Sequence, residues 1–257
     1  MVPAAVGRRA GRGRIRCGQV GLLSLLLVTG ARGADLEQAL GAALAAPLDL
    51  RAGNEARRAC REARQVGRCV DVFDELARRN PQSRAARYNA ALAYIDDLPG
   101  RTILRQGWLS TRSIEHVSRV LEQEPADWLA VYIRGLNNLY WPRWFGRIER
   151  AIVDLQRSVE LAEAKPSGEQ HPYHALAYVA LGDAQAKAGR VSEARGAWKR
   201  GAARHPGRAD LARRLALADG MLASFVDAER DLQKPIDTDV SFLWAETAKE
   251  PHDVSRN

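Results

Sequence analysis

The sequence predicts an all-α fold: a solenoid of about four helical hairpins, some of them degenerate, with flanking helices. Three observations carry this expectation. Residues 175–206 (ALAYVALGDAQAKAGRVSEARGAWKRGAARHP) read as two short amphipathic helices around a tight turn, with apolar residues three to four apart. The same alternation of apolar-faced helix and turn marked by Gly or Pro recurs three times upstream. One such hairpin cannot bury its apolar face alone, so neighbouring units have to stack.

Residues 1–33 read as a secretory signal. A basic stretch precedes the apolar run VGLLSLLLV at 20–28, which is short for a membrane span. Small residues at Ala31 and Gly33 suit cleavage after Gly33. An uncleaved anchor is the competing reading. Arg8-Arg9 lacks the flanking pattern of a twin-arginine signal, and Cys17 lies ahead of the apolar run, where a lipoprotein cysteine would not be.

Residues 34–49 predict an N-terminal helix, with Asp35 as its cap and Pro47 as its stop. The hairpin array is expected over 50–208. Its first unit pairs helices at 55–65 and 68–79, broken at Gly67 and closed by Asn80-Pro81. The second unit carries Tyr88, Ala91, Leu92 and Ile95 inward, then a surplus loop over 96–109, then a helix at 111–124. The third starts at an Asp127 cap, passes the unusually aromatic and basic connection 140–147 (YWPRWFGR), and resumes as a helix at 148–163. Lys165-Pro166 and His171-Pro172 mark a loop before the fourth unit. A single capping helix is expected within 209–232, and a non-helical tail over 233–257, polar and frayed at its end.

In the fourth unit a large Tyr178 precedes Leu181-Gly182, then Ala194, Trp198, Gly201 and Pro206. That order and spacing resembles the tetratricopeptide repeat (TPR), a helix–turn–helix unit of about 34 residues. The resemblance covers about residues 50–207, and is most specific in the fourth unit and weakest in the second. It implies a superhelix whose inner helices line a concave groove able to bind an extended peptide or a helix. The lysines and asparagines of the family's carboxylate clamp do not carry over, because Ala90, Ala126 and Ala130 stand at the matching positions.

The net charge of +8 is concentrated at the N-terminus: residues 1–33 hold six arginines and no acid. The remainder is nearly balanced, which argues against a nucleic-acid-binding domain. Cys60 and Cys69 survive signal cleavage, one on each helix of the first hairpin. A disulfide in an oxidising compartment and a pair of small buried residues are both open readings. No nucleophile elbow, phosphate-binding glycine loop or HExxH motif occurs, so no catalytic residue, metal or cofactor is assigned and the chain reads as non-enzymatic.

Candidate binding residues fall in two places. On the repeat template Arg51, Asn54, Arg58 and Arg61 lie on the groove side of the first inner helix, and Asn89 and Asp96 continue the groove in the next. Arginine there could grip carboxylates bidentately. A solvated face paired with Glu55 and Glu62 is the alternative. Second, Trp141, Arg143 and Trp144 are residue types enriched at binding hot spots, though Trp141 and Phe145 could instead plug the space between hairpins. The expected role is an exported, periplasmic or secreted adaptor or assembly factor for a protein or peptide partner, with no stable membrane insertion once the signal is removed. Rival roles are a metal- or cofactor-handling accessory built on His171 and His174, and a self-associating or membrane-anchored scaffold. The tail around Phe242-Leu243-Trp244 could also fold back into the protein's own groove or serve as a docking peptide for another molecule.

Overall fold

The computed structural model describes residues 20–166 and 169–245, which form helices and connecting segments with no strand among them. Four antiparallel hairpins follow one another: α2 (Leu50–Glu62) with α3 (Val66–Arg79), α4 (Arg84–Asp96) with α5 (Ile103–Gln123), α6 (Trp128–Leu139) with α7 (Ile148–Glu163), and α8 (Ala175–Lys187) with α9 (Val191–Arg204). The fold is an all-α solenoid. Ahead of it α1 (Val20–Ala45) packs on α2 through Leu36, Leu40 and Ala43.

The hairpins begin where the sequence supplies a cap. Asp49, Ser83 and Asp127 each accept a backbone N–H of the helix they precede, the last at 2.9 Å from Ala130. Asp127 also accepts the Tyr88 hydroxyl and the Arg84 guanidinium, which ties α4 to α6. In the fourth hairpin the two helices approach closely because Gly182 lacks a side chain: a Cβ there would lie 2.2 Å from Nε1 of Trp198. Trp198 is fully buried and donates to the Val179 carbonyl at 3.2 Å.

Several local expectations are corrected. Asp35 lies inside α1 and does not cap it, since the helix runs unbroken from Val20. The first hairpin turns at Arg64, not Gly67. Arg64 takes a left-handed conformation at φ 57°, and Gln65 N–H reaches back to the Cys60 carbonyl at 2.8 Å. The fourth hairpin uses the same turn, with Gly189 at φ 81° and Arg190 N–H bonded to Gln185 at 2.8 Å. The surplus after Asp96 is mostly helix: Thr102 caps α5, which starts eight residues earlier than the expected Thr111. The region expected as one capping helix splits into α10 (Ala209–Leu215) and α11 (Leu222–Glu229). The tail is irregular apart from one helical turn, α12 (Phe242–Ala245). The basic part of the expected signal (1–19) and the expected frayed end (246–257) lie outside the described residues.

Candidate partner-binding groove

The inner helices α2, α4, α6 and α8 line a concave face, and the chain's own C-terminal segment lies along it. After α11 the chain runs back from the last hairpin to the first. Arg230 begins the path at Asp183 on α8, at 2.7 and 2.9 Å. Burial disfavours the Arg230 cation, but Asp183 and then Tyr140 more than offset this and raise its pKa. Leu232 packs into the core, and its carbonyl lies 3.5 Å from Gln106 of α5. The segment then reaches α2 and α4.

There it is held by a cluster of buried polar groups. Arg57 is wholly buried. Its Nη1 and Nη2 both donate to the Thr238 carbonyl, at 3.1 Å each, and Nη1 also donates to the Thr238 hydroxyl at 3.1 Å. The same guanidinium reaches Asn54 at 2.7 Å, Asp96 at 3.3 Å and Asn89 at 3.4 Å. Arg61 joins Asp96 at 3.0 Å and the Thr238 hydroxyl at 2.9 Å. The Thr238 hydroxyl in turn donates to Asp96. Asn54 uses both ends of its amide, accepting the Val240 N–H at 3.2 Å and donating to Asp239 at 3.0 Å.

Burial pushes the Arg57 guanidinium below its ordinary pKa, and Asp96 pulls it back. Burial likewise pushes the Asp96 carboxyl up, against the pull of Arg57 and Arg61. Each charge is tolerable in the interior because the other is present.

Farther along, Phe242 packs against Tyr173 with ring centroids 5.3 Å apart, and the Arg51 guanidinium sits 5.3 Å from the Trp244 ring. Between the tail and the inner helices α6 and α8 a cavity of about 500 Å³ remains open, lined by Tyr132, Ile133, Tyr140, Tyr173, Arg208 and Arg230 among others.

The sequence-expected residues distribute as follows. Arg51, Asn54, Arg61, Asn89 and Asp96 meet on the concave face, all but Asn89 in contact with the tail. Arg58 does not join them: its half-exposed side chain pairs with Glu55 and Glu62 of its own helix. Its neighbour Arg57 occupies the groove, because one residue rotates a side chain about 100° around a helix. The signal was present at Arg57, where a charged residue stands at the position that Gly182 holds in the fourth hairpin, counted from the matching turns at Arg64 and Gly189.

Trp141 is likewise not a surface anchor. It is buried, donates from Nε1 to Ser110 at 3.1 Å, and lies under the Arg147 guanidinium at 4.3 Å. It plugs the space between hairpins, with Phe145 against it at 4.6 Å. Trp144 and Arg143 do stand at the surface, with Trp144 76% exposed. Cys60 and Cys69 are bridged, with Cα atoms 6.3 Å apart, and pin α2 to α3 behind the groove. The His171 N–H donates to Nδ1 of His174 at 3.2 Å, and among the described residues no three His, Cys, Asp or Glu side chains converge as metal ligands.

No protein-family model and no curated protein matches the sequence. Among solved structures the fold is similar to that of a thermophilic TPR protein from Thermus thermophilus, with a TM-score of 0.54 and 19% identity over 77% of this chain and 95% of that one. The chain is therefore TPR-like in fold.

Proposed function

We propose that this protein is a non-enzymatic adaptor that works outside the cytoplasm and binds a segment of a partner protein along its concave face. A TPR-like fold suggests protein–protein interaction in general terms. One observation carries the finer reading: the concave face already grips an extended protein segment, its own residues 236–240, by hydrogen bonds to that segment's carbonyl and N–H groups. The open cavity beside Tyr132, Tyr140 and Tyr173 offers an aromatic-lined seat for a partner side chain. Trp144 and Arg143 supply a second contact at the rim.

Export is supported by the N-terminal sequence and by the Cys60–Cys69 bridge, since disulfides persist in oxidising compartments. Among the described residues no helix is long and apolar enough to cross a membrane. Intact-mass analysis of the protein from its native host tests this part: a chain beginning near Ala34 and lacking free thiols at Cys60 and Cys69 is the expected result. A full-length chain with both thiols free sinks it.

The adaptor role is tested by in-cell crosslinking of the tagged protein. A partner captured by wild type and lost from a folded Arg143→Glu/Trp144→Ala or Tyr173→Ala variant supports the reading. No specific capture by abundant, folded wild type rules against it.

A further inference from the structure

The tail resting in the groove is more than a seam that closes the fold. We infer that residues 236–242 stand in for the partner, and that the groove's ligand is a protein segment, extended up to a turn at its aromatic residue, with the same pattern: a hydroxyl residue beside an acid, a β-branched aliphatic two residues after the hydroxyl, and an aromatic two after that (Thr238-Asp239-Val240-x-Phe242). This inference rests on the adaptor reading and names the chemistry of the partner.

Three features lead there. First, residues 236–240 are bound as a strand is bound. Thr238 and Val240 are buried, Ile236 and Phe242 are partly buried and packed on the core, and Asp237 is exposed. Over residues 236–240 that period of two is the signature of an extended chain with one face inward, and Phe242 opens the helical turn α12 that follows. The groove reads the Thr238 carbonyl and Val240 N–H, which any extended segment offers, and adds selectivity at the Thr238 hydroxyl, the Asp239 carboxylate and the Phe242 ring.

Second, the receptor is preformed without the tail. Arg57, Arg61, Asn54, Asn89 and Asp96 all belong to α2 and α4, which the hairpin packing and the Cys60–Cys69 bridge hold in place. Arg57 loses three of its hydrogen bonds if the tail leaves, so a vacated groove favours a replacement that restores them.

Third, the tail can leave without unravelling a helix of the array. It hangs from α11 through residues 230–235, which form no helix or strand, and Gln233 and Lys234 within that run are exposed. Charge fits as well. Asp239, held by Asn54, lies close enough to Arg57 and Arg61 for the opposite charges to attract.

A tethered segment acts at an effective concentration of about millimolar, so a free segment competes poorly until the tether is loosened. The test uses a fluorescein-labelled peptide of residues 234–246, titrated by anisotropy against the full oxidised protein in two forms besides wild type. One carries Thr238→Lys/Val240→Asp, which sets a cation against Arg57 and Arg61 and an acid in a buried contact. The other carries a protease site at Gln233-Lys234, cut after folding, so that it does not depend on the substituted chain reaching the native state. Helix content by circular dichroism and light scattering accompany each titration.

The expected result is one peptide per chain, bound at a concentration at least about 10-fold lower by the loosened or cut protein than by wild type. A peptide bearing the Thr238→Lys/Val240→Asp changes should not bind. Absence of binding by the folded, cut protein overturns the inference and makes the tail a structural seam. Equal binding of the wild-type and Thr238→Lys/Val240→Asp peptides by the cut protein also overturns it, because the groove would then not read the pattern. Either failure leaves the crosslinking result untouched, so loss of this proposal is distinguishable from loss of the adaptor reading.

Discussion

Arg57 and Thr238 are 181 residues apart in sequence, yet the Arg57 guanidinium donates two hydrogen bonds to the Thr238 carbonyl, and both residues are buried. This pairing links the first hairpin to the end of the described chain and fills the concave face with the protein's own tail. It also separates Arg57 from Arg58, which stands next to it in sequence and in solvent in the structure.

Substituting the two arginines should therefore give unequal results. Arg57→Ala leaves Asp96 buried with one cation fewer and releases the tail, at a cost of about 3 kcal/mol. Arg58→Ala removes only exposed pairs and should stay within about 0.5 kcal/mol of wild type. Urea denaturation measures both. Limited proteolysis should cut the tail of Arg57→Ala first and leave that of Arg58→Ala protected.

The fourth hairpin makes a sharper packing prediction. Gly182→Ala drives a methyl into Trp198, with the new carbon 2.2 Å from Nε1 before relaxation, and should destabilise by about 1–3 kcal/mol. Gly196→Ala, on the exposed side of α9 where the added carbon meets no side chain or other segment within 4 Å, should instead stabilise by about 0.5–1 kcal/mol. Thermal melts of the pair settle this. Equal melting temperatures would mean that the helices are not as close as described.

Arg64 holds the position that Gly189 holds in the other matching turn, at φ 57° against 81°. A residue with a Cβ is strained in that conformation and glycine is not. Arg64→Gly should raise stability by about 0.5–1 kcal/mol, read from the urea midpoint at unchanged slope. A fall in the midpoint would show that the Arg64 side chain contributes more than its backbone costs.

His174 sets a pH dependence. Burial, followed by the nearby His171, Lys165 and His205, pushes its pKa from the ordinary 6.5 down to about 4. The unfolded chain thus takes up a proton between these values that the folded chain refuses. Stability should fall as pH drops from about 6.5 toward about 4 and level off below that. His174→Asn should flatten the slope in this window. His116 and His205, whose pKa values burial also lowers, would keep it above zero. A slope unchanged by the substitution would rule His174 out as its source.

The hairpin succession, the Asp127 cap, and the Tyr178–Gly182–Trp198 packing core were legible in the amino-acid order. Each depends on residues close together in one unit, where helical spacing and turn chemistry act over a few positions. Most of the groove was legible as well, since Asn54, Arg61, Asn89 and Asp96 follow from the phase of two inner helices. What was not legible lies in long-range contact. Arg57 and Arg58 flank Asn54 and Arg61 on the helical wheel, and about 100° of rotation puts one in the core and the other in water. Trp141 could have been an anchor or a plug until Ser110 and Arg147 from other elements closed around it. The tail's period of two spans too few residues to identify a strand-like segment, and its docking site is assembled from α2 and α4. Burial of a charge depends on which distant groups arrive to satisfy it, and local spacing carries no record of that arrival.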